Sequence, residues 1–327
     1  MSAEIDRIAE AIRARQRFVI SSHERPDGDS IGSSLAMAFA LRAMGKRAHV
    51  VHRDPPPTPL LQFPGVADIT IASSIPDDLS DADAVIVIDC EPARTGIAGL
   101  DRYFQINIDH HRDNAGTSQL RWIDPLAAAS GEMVYDVIRA LGAPFTVEAA
   151  THVYVAIHMD TGSFHYGNIT PKTFAICQAA LEAGVDPVSV ARGLYDSNNM
   201  GRLKLFGGVL SAMQLDPSGR VAIVYLDHDM ARAAGGTYED TEGLINLPLT
   251  VKEILAVVFF KQIEGESYRV SMRSKGEIDV GAIAKEFEGG GHRNAAGCTV
   301  DGAIDALQKL FVEKIEAAIN GRSAGPR

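Results

Sequence analysis

Four short stretches of this chain gather the residue types that bind divalent cations or move protons. They are "HERPDGDS", with His23, Asp27 and Asp29; "VIVIDC", with Asp89; "INIDHH", ending in Asp109, His110 and His111; and "HMDTGSF", with Asp160. Carboxylates drawn together raise one another's pKa unless a cation is present. A divalent metal removes that conflict. Mixed His and Asp donors without cysteine favour Mn2+ over zinc, with Mg2+ or Co2+ compatible with the same set. Each residue alone has a plainer role. Asp160 or Asp29 would serve as a helix N-cap, the latter for a helix beginning at Ile31. Asp89 would end a strand in a turn, and His110 or His111 would be an ordinary satisfied imidazole. That ordinary reading is the one given to His49, His52, His152, His158, His165 and His228. Shared position favours chemistry for the others, because independent caps would not all fall at one edge of one sheet.

The elements that would place them follow from hydrophobic periodicity. After a helix over residues 5–15, "RFVISS" is a β-rich run that ends at His23, and "GSSLAMAFALRAMG" has helical spacing closed by Gly45. The alternation continues with "KRAHVVH" as a second strand, "DADAVIVIDC" as a buried third and "YFQINIDHH" as a fourth. Strands alternating with helices imply an α/β fold with a parallel sheet, whose ligands gather at the carboxyl ends of the strands. Helical patterns cover residues 130–141, 147–158 and 171–183 before "YDSNNMGRLK" interrupts the rhythm. Beyond it lie "RVAIVYLD", a hairpin turned at residues 264–266, "GCTVDG", and helices over 280–286 and 304–319, a smaller mixed α/β domain. The expected organisation is a metal-binding domain over 1–185, a linker over 186–204 and a substrate domain over 205–327, with only the tail "GRSAGPR" reading as disordered.

The length of 327 residues suits two domains of roughly 100 to 200 residues each. With 31 Lys and Arg against 42 Asp and Glu, the net charge of −11 argues against gripping long duplexes, which needs a basic stripe. A short nucleic acid held by a metal and a few arginines remains compatible. The 3 cysteines are scattered and form no C-x-x-C pair, which suggests neither a disulfide framework nor a zinc knuckle and points to a reducing cytoplasm. The N-terminal "MSAEIDRIAEAIRARQR" has no apolar signal core, and no stretch reaches the ~18 apolar residues of a membrane span, so a protein that is neither exported nor embedded is expected.

Taken in order, "HERPDGDSIGS", "VIVIDC", "IDHH", "MDTGSF" and the later "GGGHRNAAG" resemble the DHH phosphoesterase superfamily, the C-terminal part being similar to its DHHA1 domain. The likeness runs through nearly the whole chain. It implies an N-terminal DHH domain whose parallel sheet is flanked by helices, followed by the smaller DHHA1 domain. It further implies two divalent ions: His23 and Asp27 on one, Asp29, His110 and Asp160 on the other, and Asp89 bridging. His111 would contact phosphate and Asp109 would orient the imidazoles. Two ions ~3.5 to 4 Å apart can activate a shared water and stabilise both oxygens of an in-line displacement at phosphorus. Pro26 would stiffen the first loop, and Gly28 would permit backbone torsions and close packing there.

"GGGHRNAAG" is neither a Walker loop nor a Rossmann fingerprint, but consecutive glycines let backbone N–H groups approach an anion. The resemblance makes Gly290, Gly291 and His292 substrate contacts and Arg273 the substrate-gripping arginine, while Lys275 is read as a surface charge. By size and two-domain form the chain is similar to the oligoribonuclease and 3'-phosphoadenosine-5'-phosphate (pAp) phosphatase group. The implied activity is hydrolysis of short oligoribonucleotides to 5'-mononucleotides, with removal of phosphate from pAp. Partners would be short single-stranded RNA, dinucleotides and pAp, with no long duplex and no membrane; a homodimer is left open. One competitor hydrolyses cyclic dinucleotides or their linear products. Another is a nucleotide-binding regulator without turnover, which a missing metal ligand would have signalled; none is missing.

Overall fold

Short runs of β-branched and aliphatic residues, each bounded by polar turns, build two sheets. The computed structural model describes residues 3–196, 199–236, 238, 241 and 243–321. These divide into two units, Met1–Ser197 and Asn198–Arg327.

The first unit runs α1 (Ala3–Arg13), β1 (Arg17–Ser21), α2 (Gly28–Ala43), β2 (Arg47–His52), β3 (Thr70–Ile71), β4 (Ala84–Ile88), β5 (Phe104–Asp109), β6 (Leu120–Ile123), α3 (Ser130–Leu141), α4 (Val147–Asp160), α5 (Pro171–Glu182) and α6 (Pro187–Tyr195). The strands form one parallel sheet in the order β3-β2-β1-β4-β5-β6. β4 is buried along its whole length, as a central parallel strand covered on both faces must be. One face of the sheet carries Phe18, Ile20, Ile86, Ile88, Ile106 and Ile108 into a core shared with the helices. The other turns Val19, Val51, Val85 and Val87 toward Leu79, Ile97 and Leu100 from the segment between β3 and β5. Each such side chain contributes about 1.5–3 kcal/mol by leaving water.

The second unit runs α7 (Met200–Ser211), β7 (Gln214–Leu215), β8 (Val221–Leu226), α8 (His228–Ala234), β9 (Ala256–Glu264), β10 (Ser267–Ser274), α9 (Val280–Lys285), β11 (Gly290–His292), β12 (Ala295–Asp301) and α10 (Ile304–Asn320). Its sheet has the order β11-β12-β10-β9-β8-β7 and is mixed, because only β8 and β9 run parallel. Alternation along β10 sends Tyr268, Val270 and Met272 into one core with Phe311 and Ile315 of α10. A second core lies on the other face, where Val257 and Phe259 meet Leu205 and Val209 of α7.

The α/β class, the parallel first sheet and the mixed second one agree with the sequence reading. The first sheet gains two strands that periodicity did not disclose. β3 is two residues long and β6 is a mostly half-exposed four-residue strand, so neither carries a long apolar signal. The stretch 186–204 includes α6 and the start of α7, and residues 322–327 lie outside the described ones. No single helix among the described residues is long and apolar enough to cross a membrane.

α2 lies close against α4 because its facing positions lack side chains. A Cβ on Gly32 would stand 2.6 Å from the carbonyl oxygen of His152, a backbone atom that cannot step aside. Gly32→Ala is therefore expected to cost about 1–3 kcal/mol of stability by overpacking. Gly208→Ala, in α7 with no atom within 4 Å of the new Cβ, should be neutral or stabilising by about 0.4–1 kcal/mol. Urea unfolding of the two variants checks the contrast, and equal stabilities would contradict the close approach.

Candidate active site

Chain reversal within the first sheet sets the stage. From β1 the chain proceeds to β2 on one side, whereas β4 and β5 extend the sheet on the other, and such switch points open a crevice at the carboxyl ends of the two central strands. The loop carrying His23 and Asp27 leaves β1 there, and Asp89 directly follows β4. Asp89 has φ 67°, in the left-handed region that Asp tolerates better than most residues. Its amide donates to the Ile108 carbonyl at 2.9 Å, and its carboxylate accepts from Ser130 Oγ at 3.0 Å.

The two oxygens of that carboxylate face different imidazoles. Oδ2 lies 3.5 Å from His23 Nε2, while Oδ1 lies 3.5 Å from His110 Nε2. Both rings are oriented by backbone carbonyls on the far side: His23 Nδ1 is 2.8 Å from the Glu24 oxygen and His110 Nδ1 3.1 Å from the Ala127 oxygen. A ring nitrogen bonded to a carbonyl must carry its proton there, which leaves Nε2 as the atom that faces the carboxylates and would ligate a metal once deprotonated. His23 Nε2 is also 3.9 Å from Asp27, and His110 Nε2 is 3.7 Å from Asp29 and 3.5 Å from Asp160. Two adjoining groups result, His23 with Asp27 and Asp89, and Asp29 with Asp89 and His110. Within each, the candidate ligand atoms all lie within 4.8 Å of one another, and Asp89 belongs to both.

Helix termini position the aspartates. Asp27 is the N-cap of α2, accepting from the Ser30 amide at 3.0 Å while its own amide donates to Ser30 Oγ at 2.9 Å. The plainer role weighed for Asp29, as N-cap of a helix beginning at Ile31, does not hold, since α2 begins at Gly28 and Asp29 lies in its first turn. Asp29 instead reaches the next helix. α3 has Ala129 at its N-cap, which offers no side-chain acceptor, and Asp29 accepts from the amides of Ser130 at 2.7 Å and Gly131 at 3.1 Å. Asp160 is the last residue of α4 and caps nothing. Gly28 serves packing rather than torsion: its φ is not positive, and a Cβ would stand 2.4 Å from Met159 Cγ.

Electrostatics register the crowding. Burial, then the charges of Asp89, Asp160 and Asp27, push Asp29 well above the usual carboxylate range. Asp160 is raised to about 7, chiefly by burial, with the charges of Asp89 and Asp27 opposed by His110. Asp89 is held low despite complete burial, because imidazoles surround it. Burial pulls His23 down, yet the bond to Asp89 and the charge of Asp27 more than offset it, to about 9. His111 reaches about 9 in the same way, burial being outweighed by Asp109 and Asp89. Asp109 is fully buried and holds His111 Nδ1 at 2.7 Å with one oxygen and Asn114 Nδ2 at 2.6 Å with the other. The resulting cluster of buried carboxylates and oriented imidazoles fits divalent cations better than protons alone.

Past Asp160 the backbone takes an uncommon path. Gly162, Ser163 and Phe164 have φ of 57°, 60° and 62°, one left-handed turn in which two residues carry side chains. Such a residue costs about 1–2 kcal/mol relative to the right-handed form. Thr161 offsets the cost: its hydroxyl donates to Ile157 at 2.7 Å and accepts from the Phe164 amide at 3.0 Å, and its carbonyl accepts from His165 and Tyr166, each at 2.9 Å. Sequence reasoning passed over Thr161, Ser130 and Asn114. The first stands inside a quoted motif and Asn114 lies only five residues past Asp109, but Ser130 bonds Asp89 and Asp29 across the fold and leaves no local pattern.

In the second unit, Arg273 on β10 and His292 on β11 both pair in register with Ala295 of β12. They therefore occupy one row and one face of the sheet, two strand spacings or roughly 10 Å apart. Arg273 Nη1 donates to the Met272 carbonyl at 3.0 Å. Gly290 and Gly291 belong to the edge strand β11, not to an irregular loop. Gly291 has φ 132° and could carry no Cβ, which would meet the Ala295 oxygen at 2.4 Å, whereas Gly290 faces open space.

Comparison with known proteins follows the same division. Residues 17–157 match the DHH family, N-terminal domain, and residues 219–321 the DHHA1 domain. The chain is 34% identical to the bifunctional oligoribonuclease and PAP phosphatase NrnA of Thermus thermophilus, over 95% of this chain and 92% of that one. Among solved structures, an exopolyphosphatase-related protein from Bacteroides fragilis superposes with TM-score 0.86 at 28% identity, covering 96% of both chains. RecJ from Thermus thermophilus in complex with Mn2+ shares the fold, with TM-score 0.56 and 15% identity over 97% of this chain and 55% of RecJ.

The pKa shifts have a measurable consequence. With divalent ions chelated, His23 and His111 hold protons to about 9 when folded but release them near 6.5 when unfolded. The unfolded chain binds fewer protons across that window, so stability should fall as pH rises through it. A divalent ion held by His23 would have to displace that proton, so any gain in melting temperature on adding Mn2+ is expected to grow with pH. Thermal melts with and without chelator test both slopes, and a chelated protein that grew more stable between these pH values would contradict the assignment.

Proposed function

This chain belongs to the DHH family, and from that premise we propose that it is a two-metal phosphoesterase hydrolysing short oligoribonucleotides to 5'-mononucleotides and dephosphorylating pAp. The observation that carries the reading is Asp89, whose two oxygens each stand 3.5 Å from a different oriented imidazole. A carboxylate so placed suits a ligand shared by two cations. His23 and Asp27 would complete one set and Asp29, His110 and Asp160 the other. The donors are four carboxylates and two imidazoles without thiolate, a composition that favours Mn2+ with Mg2+ or Co2+ as substitutes. RecJ, of the same fold, was crystallised with Mn2+.

Bound there, two ions would supply a nucleophilic water at neutral pH and take up charge on the departing oxygen. The protein's own groups do the rest. Asp109 fixes the His111 Nδ1 proton, so Nε2 of this cationic ring is turned outward to donate to a phosphate oxygen. Carbonyl-bound Nδ1 atoms keep His23 and His110 from rotating away. On the second unit, Arg273 offers a planar fork for a phosphate, with His292 in the same row and Gly290 and Gly291 leaving the edge backbone approachable. The activities named for the Thermus thermophilus relative support the choice of substrates.

A product time course with Mn2+ over oligoribonucleotides of graded length, beside pAp and cyclic dinucleotides, tests the reading. Mononucleotides should accumulate from the shortest chains, and intact dinucleotide together with intact pAp would refute it. Asp89→Asn is expected to abolish both activities. Arg273→Ala should raise KM roughly 10- to 100-fold with little change in kcat, as loss of a charge-assisted hydrogen bond implies. Near-normal turnover in the first variant would contradict a shared ligand.

A further inference from the structure

Among the described residues, exposed aromatic rings are confined to one place. Of 12 Phe, 8 Tyr and 1 Trp, the exposed ones are Tyr166, Phe174 and Tyr195, at 37%, 55% and 46%. Each is attached to a successive residue of the left-handed turn. The Tyr166 ring rests on Gly162, where a Cβ would stand 2.5 Å from it; the Tyr195 hydroxyl bonds Ser163 Oγ; and Phe174 stacks on Phe164 with centroids 5.5 Å apart at 22°. Beneath them Phe164 packs edge-on against His158 at 5.5 Å, and His158 lies 5.7 Å from the Tyr195 ring.

A strained turn persists only where its surroundings enforce it, and such turns concentrate at ligand sites. This one begins two residues beyond Asp160, whose carboxylate faces His110 at 3.5 Å. Two residues span at most roughly 7 Å, so the turn that anchors the rings starts within a nucleotide's length of the proposed reaction centre. The segment "TGSF" carries no charge, and the neighbouring Lys172 is paired with Asp136 at 2.6 Å. What the patch offers is therefore π-faces and hydroxyls, the surface on which bases stack irrespective of sequence.

We propose that Tyr166, Phe174 and Tyr195 form a stacking subsite for a nucleobase of the substrate, held in place by the left-handed turn after Asp160. The proposal rests on the phosphoesterase reading for its choice of ligand. It is tested apart from turnover by calorimetric binding of AMP and of ribose 5-phosphate to the Mn2+-loaded full chain. Wild type should bind AMP more tightly than ribose 5-phosphate. Tyr166→Leu and Phe174→Ala should each weaken AMP roughly 5- to 100-fold, while ribose 5-phosphate moves less than about twofold and Tyr166→Phe retains affinity. Phe174 lies on an exposed helix face, so its variant keeps the test open if Tyr166→Leu melts early. Equal binding of the two ligands by wild type, or parallel weakening of both in the variants, overturns the subsite. Base-dependent binding without cleavage of any dinucleotide or pAp would uphold the subsite and remove the phosphoesterase reading instead.

Discussion

Like charges forced together at the end of a buried sheet are the constraint on which the first unit is built. Asp27, Asp29, Asp89 and Asp160 converge around two imidazoles, and burial with mutual repulsion drives Asp29 and Asp160 toward their protonated forms. Nothing in an apolar core would hold such a cluster together. Its arrangement is imposed from outside, by strand ends, helix caps and carbonyls that each fix one donor, so the cost of assembling the donors is met by folding before any ligand arrives.

The supports divide by distance along the chain. Asp27 is fixed locally, through its capping box with Ser30. Asp29 is fixed from about one hundred residues away by the first amides of α3. Asp160 depends on the packing of α4, which approaches α2 across Gly32 and Gly28. A side chain at either glycine would move one carboxylate relative to the others without touching any of them.

Much of this was legible in the sequence. Strand ends at His23, Asp89 and Asp109 could be read because each follows an apolar run, and the order of motifs gave the family. The cap of α2 could not be placed from sequence, because Asp27 and Asp29 are equally good caps and only the backbone at Gly28 decides between them. Short edge strands such as β3 and β6 left too little apolar pattern to detect. The glycine run gave no strand signal yet pairs as β11, since the partner that makes it a strand, β12, follows only after its turn. The left-handed turn was invisible for a further reason: Ser163 and Phe164 are not residues that announce positive φ.

The contact between Asp29 and α3 reaches beyond positioning. One oxygen accepts from Ser130 and faces His110, while the other accepts from Gly131 and Ser33. Any change of charge on this carboxylate alters the polarity of two amide bonds at the mouth of a helix. Those two amides are thus built-in spectroscopic reporters: their proton resonances would register the loading of the carboxylate from inside the fold, in a protein that need not be turning over at all.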